Sequence, residues 1–451
     1  MKKQLILLLS IVTMAATSCS QKESDGWKEL FNGKDLTGWK QLNGKAIYQV
    51  VDGEIVGTTV SKEPNSFLAT EDNYGDFILE LELFLDNNMN SGIQFRSLSS
   101  EDYQNGRVHG YQMEVDPSER AWSGGIYDEG RRGWLYTLDL NPAGKSAFKV
   151  NDWNTYRIEC IGNTIRTWVN GVPTAHVVDD ATSEGFIALQ VHSIYDDQQP
   201  GQQIRWRNIR IKTENIDPTP LDSIEVINLV ANNLSEQEVA NGYALLWNGE
   251  NTEGWRGAYS DKFPESGWTI KDGILSVEAS DGGESTNGGD IVTEKMFKAF
   301  ELKFDFKLSE GANSGVKYFV TETEGNEGSA IGLEYQILDD ALHPDAKMGR
   351  DGNRTLASLY DLMTSEKGRS VKKIGEWNQG IIKVLPNNKV EHWLNSFKVL
   401  EYERGSDAFL DLVEKSKYKD WDNFGLAPEG RILLQDHGDA VSFRSVKIKE
   451  L

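Results

Sequence analysis

The sequence has 451 residues, enough for two domains of ordinary size together with a leader and a linker. Hydrophobic residues make up 38% of it and aromatic residues 10%, so the chain can bury two apolar cores and is not a disordered protein. The formal net charge of -23 disfavours phosphate-rich ligands and so excludes nucleic acid as a partner, whereas a neutral sugar needs no cationic surface.

The first 19 residues have the pattern of a signal peptide. Two lysines precede an apolar run over 5–12, which is too short to cross a bilayer, and small residues at 15–18 precede Cys19. A cysteine after small residues is where a lipoprotein signal is cut, and its thiol then carries a lipid. The pattern predicts an exported protein that Cys19 anchors in the cell envelope. The alternative is plain secretion with Cys19 discarded.

The remainder of the chain matches itself nearly end to end. Such self-similarity indicates two copies of one structural unit. The paired motifs, in chain order, are LFNGKDLTGW at 30–39 and LWNGENTEGW at 246–255, FILELELFL at 77–85 and FELKFDFKL at 300–308, NSG at 90–92 and 313–315, WN at 153–154 and 377–378, LQVH at 189–192 and LQDH at 434–437, and IRIK at 209–212 and VKIK at 446–449.

Short runs of alternating apolar and polar residues fill both copies, with turns rich in Gly, Asn and Asp between them. This pattern predicts β-strands with one buried face. The copies, here called the first repeat (25–212) and the second repeat (244–451), each have the size of a two-sheet jelly roll. The linker, 213–243, holds the one clear helix signal, a capping box from Ser235 to Glu238. The predicted fold is all-β, with two tandem jelly-roll sandwiches joined by a short linker with one helix.

Three predicted strands carry polar side chains at alternate positions, which would bring a carboxylate, an imidazole, an amide and a cation to one concave face. Such a set is typical of an acid–base site. Ordinary polar pairs on a solvent-exposed sheet face explain the same pattern. Solvent exposure alone, however, does not account for a histidine at the same position in both repeats. The residues are Gln94 with Arg96, Gln112 with Glu114 and Gln190 with His192 in the first repeat, and Lys317 with Phe319, Glu334 with Gln336 and Gln435 with His437 in the second.

The second repeat also has a segment rich in potential metal ligands. Asp339 and His343 precede a loop at 349–354, and oxygen and imidazole donors in such a loop can bind a divalent cation. The spacing matches no strong metal motif, and turn formation by Asp and Pro explains the same residues. The segment 357–361 follows, and the first repeat has a shorter counterpart at 125–128.

Other residues limit the possible functions. Cys160 alternates with apolar residues and is predicted to lie in a core. Trp39, Trp134, Trp255 and Trp393 are candidates to stack on sugar rings, although indoles in sandwiches usually fill core or corner positions. The sequence has no Gly-x-Ser-x-Gly elbow, no phosphate-binding loop and no dinucleotide fingerprint, which argues against a serine hydrolase and an NAD-dependent enzyme.

Taken in order, these motifs resemble the 3-keto-disaccharide hydrolase family, which is frequent in lipoproteins of the Bacteroidetes. The motifs are the Asn-Gly-x-x-x-x-Gly-Trp opening, the Asn-Ser-Gly turn, 332–340, the Trp-Asn pair at 377–378 and 434–438. The resemblance covers almost the whole mature chain, once per repeat, and implies a concanavalin A-like jelly roll.

Each repeat departs from the family pattern in its own way. The first has Gln112 where the family tends to have Glu, and Val191-His-Ser where it has Asp-His-Gly. The second keeps Glu334 and Asp436-His-Gly but has Phe319 in place of the arginine and Asn395-Ser in place of Asn-Gly. Either one repeat is catalytic and the other supports it, or residues of both meet at one cleft. The motifs favour the second repeat as the catalytic one.

The resemblance implies cleavage of a small carbohydrate, a glycoside that a partner oxidoreductase has first oxidised at C3. The ketone acidifies the C2 proton and makes the C1 oxygen a leaving group, so cleavage can proceed by elimination and rehydration with a general base and an enolate stabiliser. The candidate catalytic residues are Glu334 or His437 as the base, Lys317, Arg96 or a divalent metal ion as the stabiliser, and Glu114 and His192 in the first repeat. The candidate substrate-binding residues are Gln112, Gln190, Gln336, Gln435, Tyr360 and Asp361.

Three alternatives remain open. Direct hydrolysis would use two carboxyl groups on either side of the glycosidic bond. A carbohydrate-binding lipoprotein without catalysis would use the same jelly roll, because the fold does not determine the function. A scaffold domain in a surface complex is the third.

Overall fold

The computed structural model describes residues 26–86, 88–195, 198–280, 283–323, 325–326, 329–368 and 370–451. The leader and Cys19 lie outside these residues, so the lipid anchor stays a prediction. Within the described ranges, no helix has the length and the apolar character that a membrane span requires.

The first repeat is a sandwich of two antiparallel sheets. One sheet has the order β13-β12-β11-β6-β15-β4-β3 with β1 beside β15, and the other has the order β10-β9-β8-β7-β14-β5-β2. A short 3-10 helix lies at Pro142–Ser146. The strands are β1 (Trp27–Glu29), β2 (Trp39–Asn43), β3 (Ile47–Val51), β4 (Glu54–Thr58), β5 (Ser66–Thr70), β6 (Phe77–Leu85), β7 (Ser91–Leu98), β8 (His109–Val115), β9 (Ile126–Glu129), β10 (Gly133–Tyr136), β11 (Asn154–Ile161), β12 (Thr164–Val169), β13 (Val172–Val178), β14 (Phe186–Val191) and β15 (Gln203–Lys212).

The linker contains the predicted helix and one strand that the sequence did not indicate. Helix α1 (Glu236–Ala240) begins with the capping box, in which Ser235 and Glu238 each accept a hydrogen bond from the backbone N–H of the other. Strand β16 (Ile227–Asn228) runs parallel to β13 and extends the first repeat's larger sheet. The buried carboxylate of Glu238 accepts a hydrogen bond from Lys447 of the second repeat over 2.9 Å. The linker is therefore packed against both sandwiches.

The second repeat is also a two-sheet sandwich. One sheet has the order β19-β20-β31-β22-β27-β28-β29 with β17 beside β31, and the other has the order β18-β21-β30-β23-β26. The strands are β17 (Ala244–Leu245), β18 (Trp255–Gly257), β19 (Trp268–Lys271), β20 (Ile274–Val277), β21 (Ile291–Thr293), β22 (Phe300–Leu308), β23 (Asn313–Val320), β24 (Gly325–Asn326), β25 (Ser329–Ala330), β26 (Leu333–Leu338), β27 (Asn378–Val384), β28 (Lys389–Leu394), β29 (Phe397–Glu403), β30 (Arg431–Leu434) and β31 (Val441–Glu450), with β24 and β25 forming a separate hairpin.

The second repeat contains helices that the sequence pattern did not indicate. Helix α2 (Asp407–Glu414) lies between β29 and β30, and a 3-10 helix covers Pro344–Lys347. The N-cap of α2 is Ser406, whose side chain accepts a hydrogen bond from the N–H of Phe409. Because the third helical position holds Phe409 and not Glu or Gln, there is no capping box to reveal this helix in the sequence.

Alternation along the central strands forms one apolar core in each sandwich, as predicted. Leu79 and Leu81 of β6 and Leu302 and Phe304 of β22 point into the two cores. Cys160 is buried in the first core as a free thiol, which confirms its predicted placement. These two cores confirm the predicted all-β fold of tandem jelly-roll sandwiches.

Three of the four singled-out tryptophans fill structural positions. Trp39 and Trp255 occupy the same corner in the two repeats, and each indole N–H donates to a backbone carbonyl nine residues earlier, over 2.9 Å and 2.8 Å. Trp393 is buried as well, whereas Trp134 is only partly buried. Of the four, Trp134 alone is partly accessible to solvent.

Candidate active site

Lys317 and Glu334 are direct neighbours on adjacent strands of the five-stranded sheet, β23 and β26. Their side chains point away from the core, since the alternating residues Tyr318 and Tyr335 fill it. Lys317 is nevertheless only 4% exposed and Glu334 only 5% exposed. The alternative explanation, polar pairs on a solvent-exposed sheet face, does not apply to these two residues, because other segments of the chain cover them. A buried ammonium and a buried carboxyl lie side by side.

The carboxyl group of Glu334 lies directly above Gly315. A Cβ atom at position 315 would come within 2.2 Å of Glu334 Oε1, so only glycine leaves room for this carboxyl. When the side-chain amide of Gln336 is oriented so that its nitrogen faces acceptors, this nitrogen donates a hydrogen bond to Glu334 Oε1 over 3.1 Å. Burial raises the pKa of Glu334 to about 7, against the opposing effect of the Lys317 and Lys417 charges. The group can therefore take up and release a proton near neutral pH.

The Lys317 ammonium is held in its charged form. Its Nζ donates to Ala330 O over 3.1 Å and to Asp290 Oδ2 over 3.4 Å. Burial acts to lower the pKa of Lys317, but the carboxylates of Asp290 and Glu334 outweigh it and the pKa is raised. Burial raises the pKa of Asp290 to about 6, although the positive charge of Lys317 acts to lower it. The lysine supplies a fixed positive charge next to two titratable carboxyl groups.

Asp436 holds one of the loops that cover the site. Its carboxylate accepts hydrogen bonds from the backbone N–H groups of Gly288, Gly289 and Gly438 over 3.1, 2.9 and 3.0 Å. This explains the Asp-His-Gly motif of the second repeat, because the aspartate orders the loop that delivers Asp290. The first repeat has Val191 at this position and cannot hold a loop in this way.

Gln435 directly follows the last residue of β30, Leu434, and its side chain contacts Glu284. Its amide nitrogen donates to Glu284 Oε1 over 3.2 Å, while its buried amide oxygen has no partner among the described residues. Glu284 is close enough to raise the pKa of Glu334. Gln435 thus keeps one acceptor free for a hydroxyl group at the edge of the site.

Tyr360 and Asp361 have different surroundings. The Tyr360 hydroxyl donates to Asp345 over 2.8 Å, and its ring lies 4.4 Å from Lys417 Nζ. Asp361 is buried and accepts hydrogen bonds from Arg354 Nε and the Lys417 backbone, both over 2.7 Å. Asp361 therefore anchors two loops, and Tyr360 is the better candidate to contact a substrate.

His437 belongs to a second cluster, with His343 and Asp439. One ligand atom from each lies within 4.8 Å of the other two. His343 Nδ1 accepts a hydrogen bond from the backbone of Asp345 over 3.2 Å, which leaves Nε2 available, and one oxygen of Asp439 accepts one from Asn313 N over 3.0 Å. Two imidazoles and one carboxylate are a common ligand set for divalent transition metals.

Asp339, expected to accompany His343, is not in this cluster. Its two carboxylate oxygens accept hydrogen bonds from the backbone N–H groups of Gly311 and Ala341, over 2.8 and 3.0 Å. This is the turn-forming role that the sequence left open as the alternative. Asp439 takes the place expected for Asp339, and its position two residues after His437 in an LQDHGD run is the signal that sequence reasoning missed.

The two clusters lie side by side along β23. The Glu334 carboxyl stands above Gly315, while the backbone of Asn313, two residues away, contacts Asp439. Two residues of an extended strand span ~7 Å. The Glu334 carboxyl and the Asp439 carboxylate therefore contact β23 at positions two residues apart.

The first repeat has a hydrogen-bonded amide network where the second has charges. Gln94 donates to Gln112 over 2.6 Å, and Gln112 and Asn90 donate to Glu114 over 2.9 and 2.6 Å. By strand register Gln94 and Gln112 correspond to Lys317 and Glu334. Burial raises the pKa of Glu114 to about 7, but no ammonium group stands next to it in this network.

The remaining predicted residues of the first repeat do not complete a site. His192 Nδ1 is bonded to Ser193 O over 2.6 Å, and Ser193 and Ile194 follow where the second repeat has Gly438 and Asp439. Gln190 is buried, and neither of its amide atoms has a partner among the described residues. The structure therefore gathers the predicted chemistry in the second repeat only.

Arg96 does not share a face with Gln94, which corrects the alternation predicted for this strand. A bulge places Arg96 at φ 44°, and its guanidinium donates to Gly75 O and Gly162 O over 2.9 and 2.8 Å and to Asp76 over 3.0 Å. Phe319 of the second repeat has the same bulge, at φ 55°, and packs in the core. Arg96 is a structural anchor and lies outside the amide network.

Comparison with known proteins agrees with this architecture. The family model described as a 3-keto-alpha-glucoside-1,2-lyase-like domain matches residues 26–212 and again 242–449. A 3-keto-disaccharide hydrolase from Bacteroides thetaiotaomicron is 38% identical over 234 residues, which cover 47% of this chain and 79% of that protein.

Two solved structures from Parabacteroides distasonis, both of proposed glycosyl hydrolases, are also similar. They are 31% and 27% identical, cover 49% and 46% of this chain and 99% of their own, and have TM-scores of 0.43 and 0.35. Since the family model matches nearly all of the described chain in two segments, this protein belongs to the family of 3-keto-alpha-glucoside-1,2-lyase-like domains and carries two copies of that domain.

Proposed function

We propose that the second repeat cleaves glycosides that carry a ketone at C3. The observation that carries this proposal is the pair of Glu334 and Lys317, a buried carboxyl with a pKa of about 7 beside a buried, charged ammonium. Family membership and the name of the Bacteroides thetaiotaomicron relative support a glycoside as the substrate.

The reaction begins at C2 of the sugar. Glu334 removes the C2 proton, and the electron pair forms an enolate whose charge rests on the C3 oxygen. Lys317 supplies positive charge that favours the enolate, and this is the kind of preorganised electrostatic stabilisation that lowers such barriers most. His343, His437 and Asp439 would hold a divalent cation, which would act as a Lewis acid toward the C3 carbonyl oxygen.

The glycosidic bond then breaks by elimination. The ketone re-forms, a double bond appears between C1 and C2, and the aglycone oxygen leaves with the proton that Glu334 had taken. Water adds across the double bond, its hydroxyl to C1 and its proton to C2, so the net reaction is hydrolysis. Each step uses one proton-transfer group, which suits a single carboxyl with a pKa near neutrality.

Aglycone release from a 3-keto-glucoside and from its unoxidised parent tests the proposal. We expect cleavage of the keto form only, and deuterium at C2 of the product when the reaction runs in D2O, because rehydration delivers a solvent proton there. Cleavage of both forms without deuterium at C2 would indicate direct hydrolysis. Binding of either sugar without cleavage would indicate a carbohydrate-binding protein.

The substrate must come from another enzyme, because an ordinary glycoside has a hydroxyl group at C3. An oxidoreductase that converts this hydroxyl to a ketone has to act before the second repeat does.

A lipid on Cys19 would hold the protein in the cell envelope, where such substrates could be met. Mass spectrometry of the N-terminal peptide tests the anchor, and a Cys19→Ser variant serves as its control.

A further inference from the structure

A second cleft lies where the two repeats and the linker meet. It has a volume of about 370 Å³ and is lined by Trp134 of the first repeat, Leu229 of the linker and Trp377 of the second repeat, among others. This size falls in the range of small-molecule sites, about 300–1,000 Å³. The cleft is separate from the Glu334 site, whose carboxyl group is not part of its lining.

Trp377 is fixed on the surface of the eight-stranded sheet. The guanidinium of Arg444 lies 4.2 Å from the centre of its indole, and Lys307 Nζ lies 5.0 Å from it. Both basic residues belong to strands of that sheet, β31 and β22, so they support the indole from the sheet side. The rest of the indole surface lines the cleft and can stack on the apolar face of a sugar ring.

Paired polar groups lie next to this indole. Arg444 Nε donates to Asp305 Oδ2 over 3.1 Å, and Gln379 Nε2 lies 3.4 Å from Asp305 Oδ1. All three residues line the cleft. Carboxylate, guanidinium and amide groups are planar hydrogen-bonding groups suited to neighbouring hydroxyls. The other charged lining residues are Arg132, which pairs with Asp128 and Asp179, and Lys372 and Glu376, which have opposite charges. The charges around the cleft therefore balance, and the cleft suits a neutral ligand.

The walls of the cleft are tied together across the repeats. Ser396 Oγ donates to Leu135 O over 2.6 Å, and Thr137 Oγ1 donates to Ser396 O over 2.8 Å. Lys372 Nζ also donates to the backbone carbonyl of Arg132. These bonds preform the cleft, so little ordering is needed when a ligand binds.

The first repeat also has an indole packed against a basic side chain, but this indole does not line the cleft. Trp153 lies 3.8 Å from the guanidinium of Arg207, which is paired with Glu82 over 2.6 Å. By the internal repeat, Trp153 corresponds to Trp377 and lies outside the cleft lining. Trp153 therefore provides a matched control for effects of losing a supported indole.

We propose that this cleft between the repeats binds a neutral glucose-type mono- or disaccharide without cleaving it. Trp134 and Trp377 provide aromatic walls, and Asp305, Arg444 and Gln379 provide hydrogen bonds to hydroxyl groups. The cleft would hold a carbohydrate near the second repeat independently of the reaction at Glu334.

Calorimetric titration with maltose and with cellobiose tests this binding. We expect saturable binding of at least one of them that persists in a Glu334→Gln variant. Trp377→Ala should weaken it about tenfold or more, as for a central aromatic anchor, whereas Trp153→Ala should leave it unchanged. Leu229→Trp, which fills the cleft without removing a wall, should abolish it.

Two results would overturn the proposal. One is the absence of saturable binding of either disaccharide to the wild-type protein. The other is binding that survives both Trp377→Ala and Leu229→Trp in folded protein, which would place the sugar elsewhere. Assays of 3-keto-glucoside cleavage on the same samples separate the two proposals, since loss of one property does not require loss of the other.

Discussion

The side-chain hydroxyl of Ser396 donates a hydrogen bond to the carbonyl of Leu135, which joins the second repeat to the first over 2.6 Å. Ser396 has φ 73°, in the left-handed region, and the first repeat has Gly171 at this position with φ 77°. A non-glycine residue in this conformation costs about 1 kcal/mol or more, and a buried hydrogen bond offsets a similar amount. The contact between the repeats thus explains why serine stands where the family has glycine.

Replacing Ser396 tests this account. Ser396→Ala keeps the left-handed strain and leaves the Leu135 carbonyl without its donor, so we expect a loss of about 1–2 kcal/mol in the free energy of unfolding. Ser396→Gly removes the strain together with the bond and should change stability by less than about 1 kcal/mol. Urea denaturation measures both. Equal stability of the two variants would contradict this balance between backbone strain and hydrogen bonding.

Replacing Glu334 should stop the reaction. Glu334→Gln keeps the size of the side chain but cannot accept the C2 proton, and loss of a general base costs about 10²–10⁴-fold in rate. The matched control is Glu114→Gln in the first repeat, another buried carboxyl with a pKa of about 7, which should leave kcat within about twofold of wild type. Steady-state kinetics on a 3-keto-glucoside measures both. Equal losses in the two variants would show that the catalytic assignment to the second repeat is wrong.

The pH dependence of the rate should follow Glu334. The base must be deprotonated, and burial raises its pKa to about 7, so kcat/KM should fall about tenfold per pH unit below that value. A profile that stays flat from pH 5 to pH 8 would exclude Glu334 as the base. Loss of activity at low pH from unfolding is separated by measuring circular dichroism on the same samples.

Stability should depend on pH in the opposite sense. The pKa of Glu334 rises from 4.5 to about 7 on folding, so the folded state binds more protons than the unfolded state between these values. This contribution is present at pH 4 and is lost as the pH rises through 7, with an amplitude of about 3 kcal/mol. Glu334→Gln removes it, so the variant should gain stability relative to wild type between pH 5 and pH 8. Parallel curves for the two proteins would contradict the raised pKa.

Much of this site could be predicted from the alternation of apolar and polar residues along the strands and from the internal repeat. A period of two along β26 placed Glu334 and Gln336 on one face and Tyr335 in the core, and the internal repeat identified the matching strands. The same rule failed at Arg96, because a strand bulge with a positive φ shifts the alternation by one residue and leaves no clear mark in a non-glycine sequence.

Residues delivered by loops could not be predicted in the same way. Asp290 reaches Lys317 because Asp436 holds the intervening loop, and this depends on contacts between segments almost 150 residues apart. His343 and His437 meet through the same kind of long-range packing. Strand periodicity carries no information about such contacts, so the sequence paired His343 with the nearby Asp339 and not with Asp439.

Binding of a divalent cation to His343, His437 and Asp439 can be measured without the reaction. A cation that binds only the folded protein raises its stability, by about 2.7 kcal/mol at a concentration one hundred times the Kd. We expect Mn²⁺ or Zn²⁺ to raise the melting temperature of the wild-type protein and EDTA to reverse the effect. His437→Ala and Asp439→Asn should each abolish the shift, whereas His192→Ala, at the matching position of the first repeat, should retain it. A shift that survives in His437→Ala would place the cation elsewhere, and the absence of any shift would leave Lys317 as the group that stabilises the enolate.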